Sequence, residues 1–172
     1  MVIIEESEMK FGEYPDEDVF RIEKSHQYTD MLMEKGVKTC EFILKRGDAF
    51  LFIEAKKRSP MQITADSPAD KVEKYNEYIT GILLKMRHSL LLYANILLKR
   101  YDCVGVPEDF LEPNLETKKL KLILVVKEAE DEWLIPLQEK LNSEFIPELR
   151  LWNIDQILVI NEARARRKSI II

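Results

Sequence analysis

The chain is poor in the residues that build covalent or metal frameworks. Its 172 residues include two cysteines, Cys40 and Cys103, and two histidines, His26 and His88. None shows the paired spacing of a tetrahedral zinc site. Two cysteines make no disulfide framework, and with no secretory leader ahead of them the expected location is reducing and cytoplasmic. Long apolar runs are also missing. The longest, around Leu90-Leu91-Leu92 and from Leu122 to Val126, fall far short of the ~20 residues that cross a bilayer, so no membrane partner is expected. An excess of positive charge is absent too. The formal net charge is -5 and the pI about 5.3, which counts against indiscriminate binding to polyanions. That acidity leaves room for a metal-dependent site acting on phosphates, because carboxylates that hold a divalent cation are themselves acidic. No repeat, low-complexity tract or Gly/Ser linker divides the sequence, so 1-172 reads as one domain.

What is present is an alternation of short apolar runs and helical stripes. Val2 to Ile4 is a short apolar start, followed by an acidic, turn-prone stretch through Gly12, Pro15 and Asp18. Val19 to Ile22 reads as a brief extended segment. A helix follows, with Ser25 as N-cap, Tyr28, Met31 and Leu32 on one face, and Gly36 at its end. Val37 to Lys45 and Ala49 to Lys57 are rich in β-branched and aromatic residues and flank Gly47-Asp48, the glycine-first pair of a type II′ hairpin turn. Ser67-Pro68 opens a long helix with Ser67 as cap, running to about Arg100 through Tyr75, Ile79, Ile82, Met86 and Leu90. Leu122 to Val126 is a continuous apolar run, as in a strand buried on both faces. An amphipathic helix through Trp133, Leu137, Leu141 and Phe145 comes next, then strands over Leu149 to Trp152 and Ile157 to Ile160. This order predicts an α/β fold, a mixed β-sheet flanked by helices.

The hairpin carries the chemistry. A two-residue turn at Gly47-Asp48 sets Arg46 against Ala49, Ile43 against Phe52, Glu41 against Glu54 and Thr39 against Lys56. Because side chains alternate, these last six share one face, while Cys40, Phe42, Leu44, Leu51, Ile53 and Ala55 form the other, wholly apolar face. Two opposed carboxylates sit with Cβ atoms ~5 Å apart and repel each other. A divalent cation between them turns repulsion into coordination, and Lys56 on the same face is placed to orient a water or to stabilise developing negative charge.

Glu23 ahead of a helix, Glu41 on the first hairpin strand and Phe52-Ile53-Glu54-Ala55-Lys56 on the second resemble the PD-(D/E)xK nuclease superfamily. The resemblance covers about residues 19-126, with 127-172 as a C-terminal α/β extension. It implies a restriction-endonuclease-like core of the αβββαβ type and Mg²⁺- or Mn²⁺-dependent hydrolysis of phosphodiester bonds, in DNA before RNA, in the setting of restriction, phage defence or repair. By that likeness Glu41, Glu54 and the Ala55 carbonyl hold the metal with help from Glu23, and Lys56 assists the nucleophilic water. The first acid is Glu where Asp is commoner, and Cys40 stands where proline is usual.

Other residues carry two readings each. Glu23 is equally a capping acid near a helix start. Lys57 and Ser59 continue from the motif as phosphate contacts or as a polar strand end, with Arg58 read as the latter. Lys85, with Arg87 and His88, reads as a solvated helix face or as a substrate contact. Arg164, Arg166, Arg167 and Lys168 form the densest basic run, able to track a phosphate backbone or simply solvated, and the Ile170 to Ile172 tail suggests packing on a neighbour. The alternative to an enzyme is a nuclease-fold interaction subunit that binds a protein or nucleic acid without cutting. In either case a homodimer or partner protein is expected to supply specificity.

Overall fold

The centre of the molecule is built outward from one tight turn. In the computed structural model, which describes residues 1-172, Gly47 has φ 58° and Arg46 pairs with Ala49 across it. That left-handed backbone costs glycine nothing, which is why the two-residue loop forms here. The turn joins β4 (Phe42-Arg46) to β5 (Ala49-Arg58) with Ile43 opposite Phe52 and Phe42 opposite Ile53, the register expected from the apolar alternation.

Around this hairpin lies a five-stranded mixed sheet. Its spatial order is β3 (Val19-Phe20), β4, β5, β6 (Lys119-Glu128) and β7 (Ile157-Asn161). The β3-β4 and β4-β5 pairs are antiparallel, whereas β5-β6 and β6-β7 are parallel. Parallel neighbours need a crossover, and the 29-residue helix α2 (Ala69-Leu97) supplies the one between β5 and β6. Leu122 to Val126 are buried on both faces of β6, as the unbroken apolar run requires. Residues beyond 126 join the same sheet, since β7 lies beside β6.

The two faces are covered differently. On one side α2 and α4 (Asp131-Glu144) pack over Ile43, Phe52, Leu122, Leu124 and Val159. On the other, an N-terminal hairpin of β1 (Val2-Glu6) and β2 (Met9-Tyr14) joins α6 (Glu162-Arg167) over Phe42, Leu51, Ile53 and Val125. Helix α1 (His26-Thr29), α3 (Glu108-Leu111) and α5 (Ile146-Leu151) are short connecting turns. No helix is long and apolar enough to cross a membrane.

Several expectations are corrected. Residues 37-41 are not strand, and Cys40 joins the α2 side of the core, its amide donating to Ser89 Oγ at 2.8 Å. Ser25 does cap α1, accepting from the Tyr28 amide, but the helix lasts one turn before a 3-10 turn (Met33-Lys35) closes at left-handed Gly36. The cap of α2 is Pro68; the Ser67 hydroxyl instead accepts from the Thr64 amide. Leu149 to Trp152 is not a strand, because α5 occupies it and its backbone follows helical bonds such as Trp152 N-H to Glu148 O. In α4 it is Leu134 that turns inward, leaving Trp133 exposed. The Ile tail packs on its own chain: Ile170 and Ile171 are buried beside β2, and the Ile172 amide donates to Lys10 O.

Candidate metal and active site

β5 is longer than its partner, and that inequality makes the site. Its last residue paired with β4 is Ile53, so Glu54 to Arg58 run on past β4 while still pairing with β6. The chain entering β4 stays close, for the Glu41 amide donates to Ile53 O at 3.0 Å. A notch is left at the carboxyl end of a central parallel strand, the end at which α/β sheets generally bind ligands.

Four elements fill the notch with charge. Glu54 and Lys56 come from β5, Glu41 from the approach to β4, Glu23 from the 3-10 turn Ile22-Lys24, and Lys85 from α2. Glu54 is 0% exposed and Glu41 8% exposed. Lys85 Nζ lies 3.4 Å from Glu41 Oε1, 2.9 Å from Glu54 Oε1 and 3.1 Å from Glu54 Oε2. Both expected acids therefore face the same side of the sheet, but an ammonium stands between them. Lys56 Nζ approaches Glu54 Oε1 at 2.8 Å. Two ammoniums thus lie within ion-pair distance of the buried Oε1, Lys56 and Lys85. The buried Tyr78 hydroxyl, in the field of Glu54, has no hydrogen-bond partner.

A second cluster adjoins the first. Carboxylate oxygens of Glu6, Glu23 and Glu41 all lie within 4.8 Å of one another. Glu6, the last residue of β1, is new to the site. Burial, the hydrogen bond to Glu23 and the charge of Glu54 together push the Glu41 carboxyl up to about 9, against the pull of Lys85. Burial acts to depress the Lys85 ammonium, but the charges of Glu54 and Glu41 outweigh it and hold the group above its ordinary value. At neutral pH a proton thus does part of the work of a cation. The donor set is all hard oxygen, which fits Mg²⁺, Mn²⁺ or Ca²⁺ and not a thiol-seeking metal.

The remaining expected residues scatter. The Ala55 carbonyl accepts from Ser7 Oγ at 3.1 Å. Lys57 pairs with Glu8 on the hairpin side, where Lys127 joins it. Ser59 lies past the end of β5, near Lys127 and Glu130. Arg164 pairs with Asp131 and Arg166 with Glu162, while Arg167 is exposed near the end of α6. Lys85 is the opposite case, read as a solvated helix face or a substrate contact and found bridging the acids. An open groove of about 1150 Å³ runs along α2, lined in part by Lys38, Gly81 and Leu84 and by none of the clustered acids.

No protein-family model, curated protein or solved structure matches the chain.

Proposed function

We propose that the chain is a divalent-cation-dependent nuclease of the PD-(D/E)xK kind, with a restriction-endonuclease-like core, hydrolysing phosphodiester bonds in DNA before RNA. The observation that carries this reading is Glu54. It is wholly buried at the carboxyl end of a central strand, where Lys56 at 2.8 Å and Lys85 at 2.9 Å both pair with its Oε1 and Lys85 also reaches Glu41. A fold gains little from burying such a group even when it is paired, because the desolvation of the charges offsets their attraction. A mixed five-stranded sheet flanked by helices, with α2 crossing between β5 and β6, supports the reading.

Glu41 and Glu23 offer hard oxygen donors, and Mg²⁺ or Mn²⁺ held there supplies Lewis-acid polarisation of a phosphoryl oxygen and a more acidic water. The chain's own residues do the rest. Glu54 anchors Lys56, whose side chain is 32% exposed and can reach a bound phosphate. There Lys56 stabilises the negative charge that grows on the non-bridging oxygens as water adds to phosphorus and the alcohol oxygen leaves with a proton. Lys57 points to the other side of the sheet, where it pairs with Glu8, so Lys56 is the residue of this strand end that faces a phosphate in the notch.

A specific observation favours a second reading. Lys85 already neutralises the Glu41-Glu54 pair and Ser7 already covers the Ala55 carbonyl, as in a nuclease-fold subunit that binds without cutting. Incubation of supercoiled and single-stranded DNA with Mg²⁺ separates the two. Cleavage by the wild type, lost in both Lys56→Ala and Glu54→Ala, supports the enzyme; cleavage that survives both changes overturns the site assignment.

A further inference from the structure

We propose that His88 and Ser89 are positioning residues of this site: they hold the backbone amides of Lys38 and Cys40, set where Glu41 stands, and give up part of that hold when His88 takes a proton. The proposal rests on reading the notch as the working site, and it says what keeps one of its acids in place and how a fall in pH loosens it.

The segment that enters β4 has no strand beside it to bond its amides. Lys38 and Cys40 lie outside any strand, and no backbone carbonyl accepts from either N-H. Cys40 is wholly buried, so its amide cannot turn to water instead. Two consecutive side chains of α2 fill the gap. His88 Nδ1 accepts from the Lys38 amide at 3.1 Å, and Ser89 Oγ from the Cys40 amide at 2.8 Å. Alternate amides of an extended chain point the same way, so these two face α2 while the Glu41 amide faces β5 and donates to Ile53 O. Immediately before Glu41 the chain is stitched on both sides.

The same turn of α2 carries Lys85. Ser89 Oγ donates to Lys85 O at 2.7 Å, which places its proton within the helix and leaves its lone pairs for the Cys40 amide. Lys85 Nζ in turn stands 3.4 Å from Glu41 Oε1 and 2.9 Å from Glu54 Oε1. Ser89, wholly buried, thereby ties the backbone that carries Lys85 to the backbone that carries Glu41. Such support matters at a reacting site, where a displacement of about 1 Å can cost ~100-fold in rate.

His88 makes one of the two stitches conditional. A ring nitrogen accepts a hydrogen bond only while it carries no proton, and an imidazolium has donors on both nitrogens. The charged groups around it are Arg87 and Lys85 on its own helix, Lys38 on the segment opposite, and Glu148 of α5, which pairs with Arg87. Burial and the Arg87 charge hold the imidazole below its ordinary value of 6.5. The stitch is therefore whole at neutral pH and opens in acid below that value. Ser89 does not titrate, so its half of the hold remains.

Nuclear magnetic resonance of the metal-free full chain, labelled with ¹⁵N and followed from about pH 8 to about pH 5, tests this without a catalytic readout. In the wild type the Lys38 and Glu41 amide resonances are expected to move with the His88 ring, sharing its midpoint below ~6.5. His88→Asn offers an amide oxygen near the place of Nδ1, and is expected to keep both amides in place and to abolish that midpoint. Ser89→Ala is expected to speed exchange of the Cys40 amide proton about tenfold and to displace the Glu41 resonance at every pH. Amides that ignore the His88 midpoint, the same midpoint in His88→Asn, or unchanged Cys40 exchange in a folded Ser89→Ala overturns the proposal. If Ser89→Ala fails to fold, the wild type and His88→Asn still decide. Cleavage of supercoiled DNA with Mg²⁺ on the same proteins keeps the two claims apart. Equal acid limbs in wild type and His88→Asn remove the positioning role and leave the nuclease reading. The expected resonances with no cleavage by any of these proteins do the reverse.

Discussion

Replacing Lys85 by methionine removes an ammonium from between two buried carboxylates while keeping the length of the side chain. Deleting one partner of a buried ion pair costs roughly 3-5 kcal/mol, because the charge left behind has neither water nor a counter-ion. Here the penalty is smaller. Lys56 stays 2.8 Å from Glu54, but its side chain is about one-third exposed and its field is screened. Glu41 has an outlet as well, since it already favours its protonated form. We expect a loss of about 2-3 kcal/mol at pH 7.5 without metal, from the lower part of the range for broken buried pairs. For a chain of this size that lowers Tm by roughly 5-10 °C, at about 2-4 °C per kcal/mol. Saturating Mn²⁺ at ~100 times its Kd adds about 2.7 kcal/mol to any variant that binds it, the wild type included, so the loss is read in its absence. Urea unfolding followed by far-UV circular dichroism and tryptophan fluorescence, with and without Mn²⁺, measures both numbers. A metal-free loss below ~0.5 kcal/mol, the size of an ordinary surface substitution, refutes the claim that Lys85 neutralises a buried site.

Four further outcomes follow from the same geometry. The Glu41 carboxyl, held up at about 9, must lose its proton before it can ligate. Apparent Mn²⁺ affinity is therefore expected to rise about tenfold per pH unit up to pH ~9 and then level off, as calorimetry at several pH values will show. In the metal-free protein the sign is opposite. The folded state holds that proton above the ordinary value of 4.5, so this group's contribution to stability is greatest at pH ~4.5 and below and is lost as the pH rises towards about 9; denaturant unfolding across that window reads it. Gly12→Ala is expected to destabilise by about 1-3 kcal/mol and to weaken Mn²⁺ binding, since a Cβ there meets Val2 O at 2.9 Å with φ +144° and disturbs the hairpin that carries Glu6. Phe52→Ala, wholly buried under α2 on the strand that carries Glu54, should cost about 3-5 kcal/mol in the same unfolding assay.

The parts legible in the sequence were those where one pattern left a single solution. The two-residue turn and the apolar alternation of Phe42, Leu44, Leu51, Ile53 and Ala55 fix the β4-β5 register, since a one-residue slip would exchange the side chains of the two faces and drive the Glu54 face into the apolar core under the N-terminal hairpin. The run Leu122 to Val126 and the stripe through Tyr75, Ile79, Ile82 and Met86 were equally unambiguous. The β1-β2 hairpin, and with it Glu6, was not legible. Both strands are short, and Ser7-Glu8 offers none of the Asn or Gly that marks a tight turn. Cys40 changed sides because the chain leaves strand geometry at 41, just where the site begins. Leu149-Arg150-Leu151-Trp152 alternates like a strand, and its helical fate is decided by Pro147 at the helix start and by burial of Leu149 in the core. A signal for Lys85 was there. At helical spacing it shares a face with Tyr78, Ile82 and Ser89, and a lysine in a packed stripe needs an acid to meet it.

The central claim is that this buried cluster performs chemistry on a phosphodiester and is not merely a neutralised knot of charge. Single-turnover cleavage of supercoiled DNA by Lys56→Ala protein, loaded with the same Mn²⁺ as the wild type, tests it most directly. Lys56 should be needed for the bond-breaking step and not for the ion, so the variant should bind Mn²⁺ normally and cut ~10²-10³-fold more slowly. Equal rates in the two proteins, or no cutting by either with Mn²⁺ bound, would contradict the account.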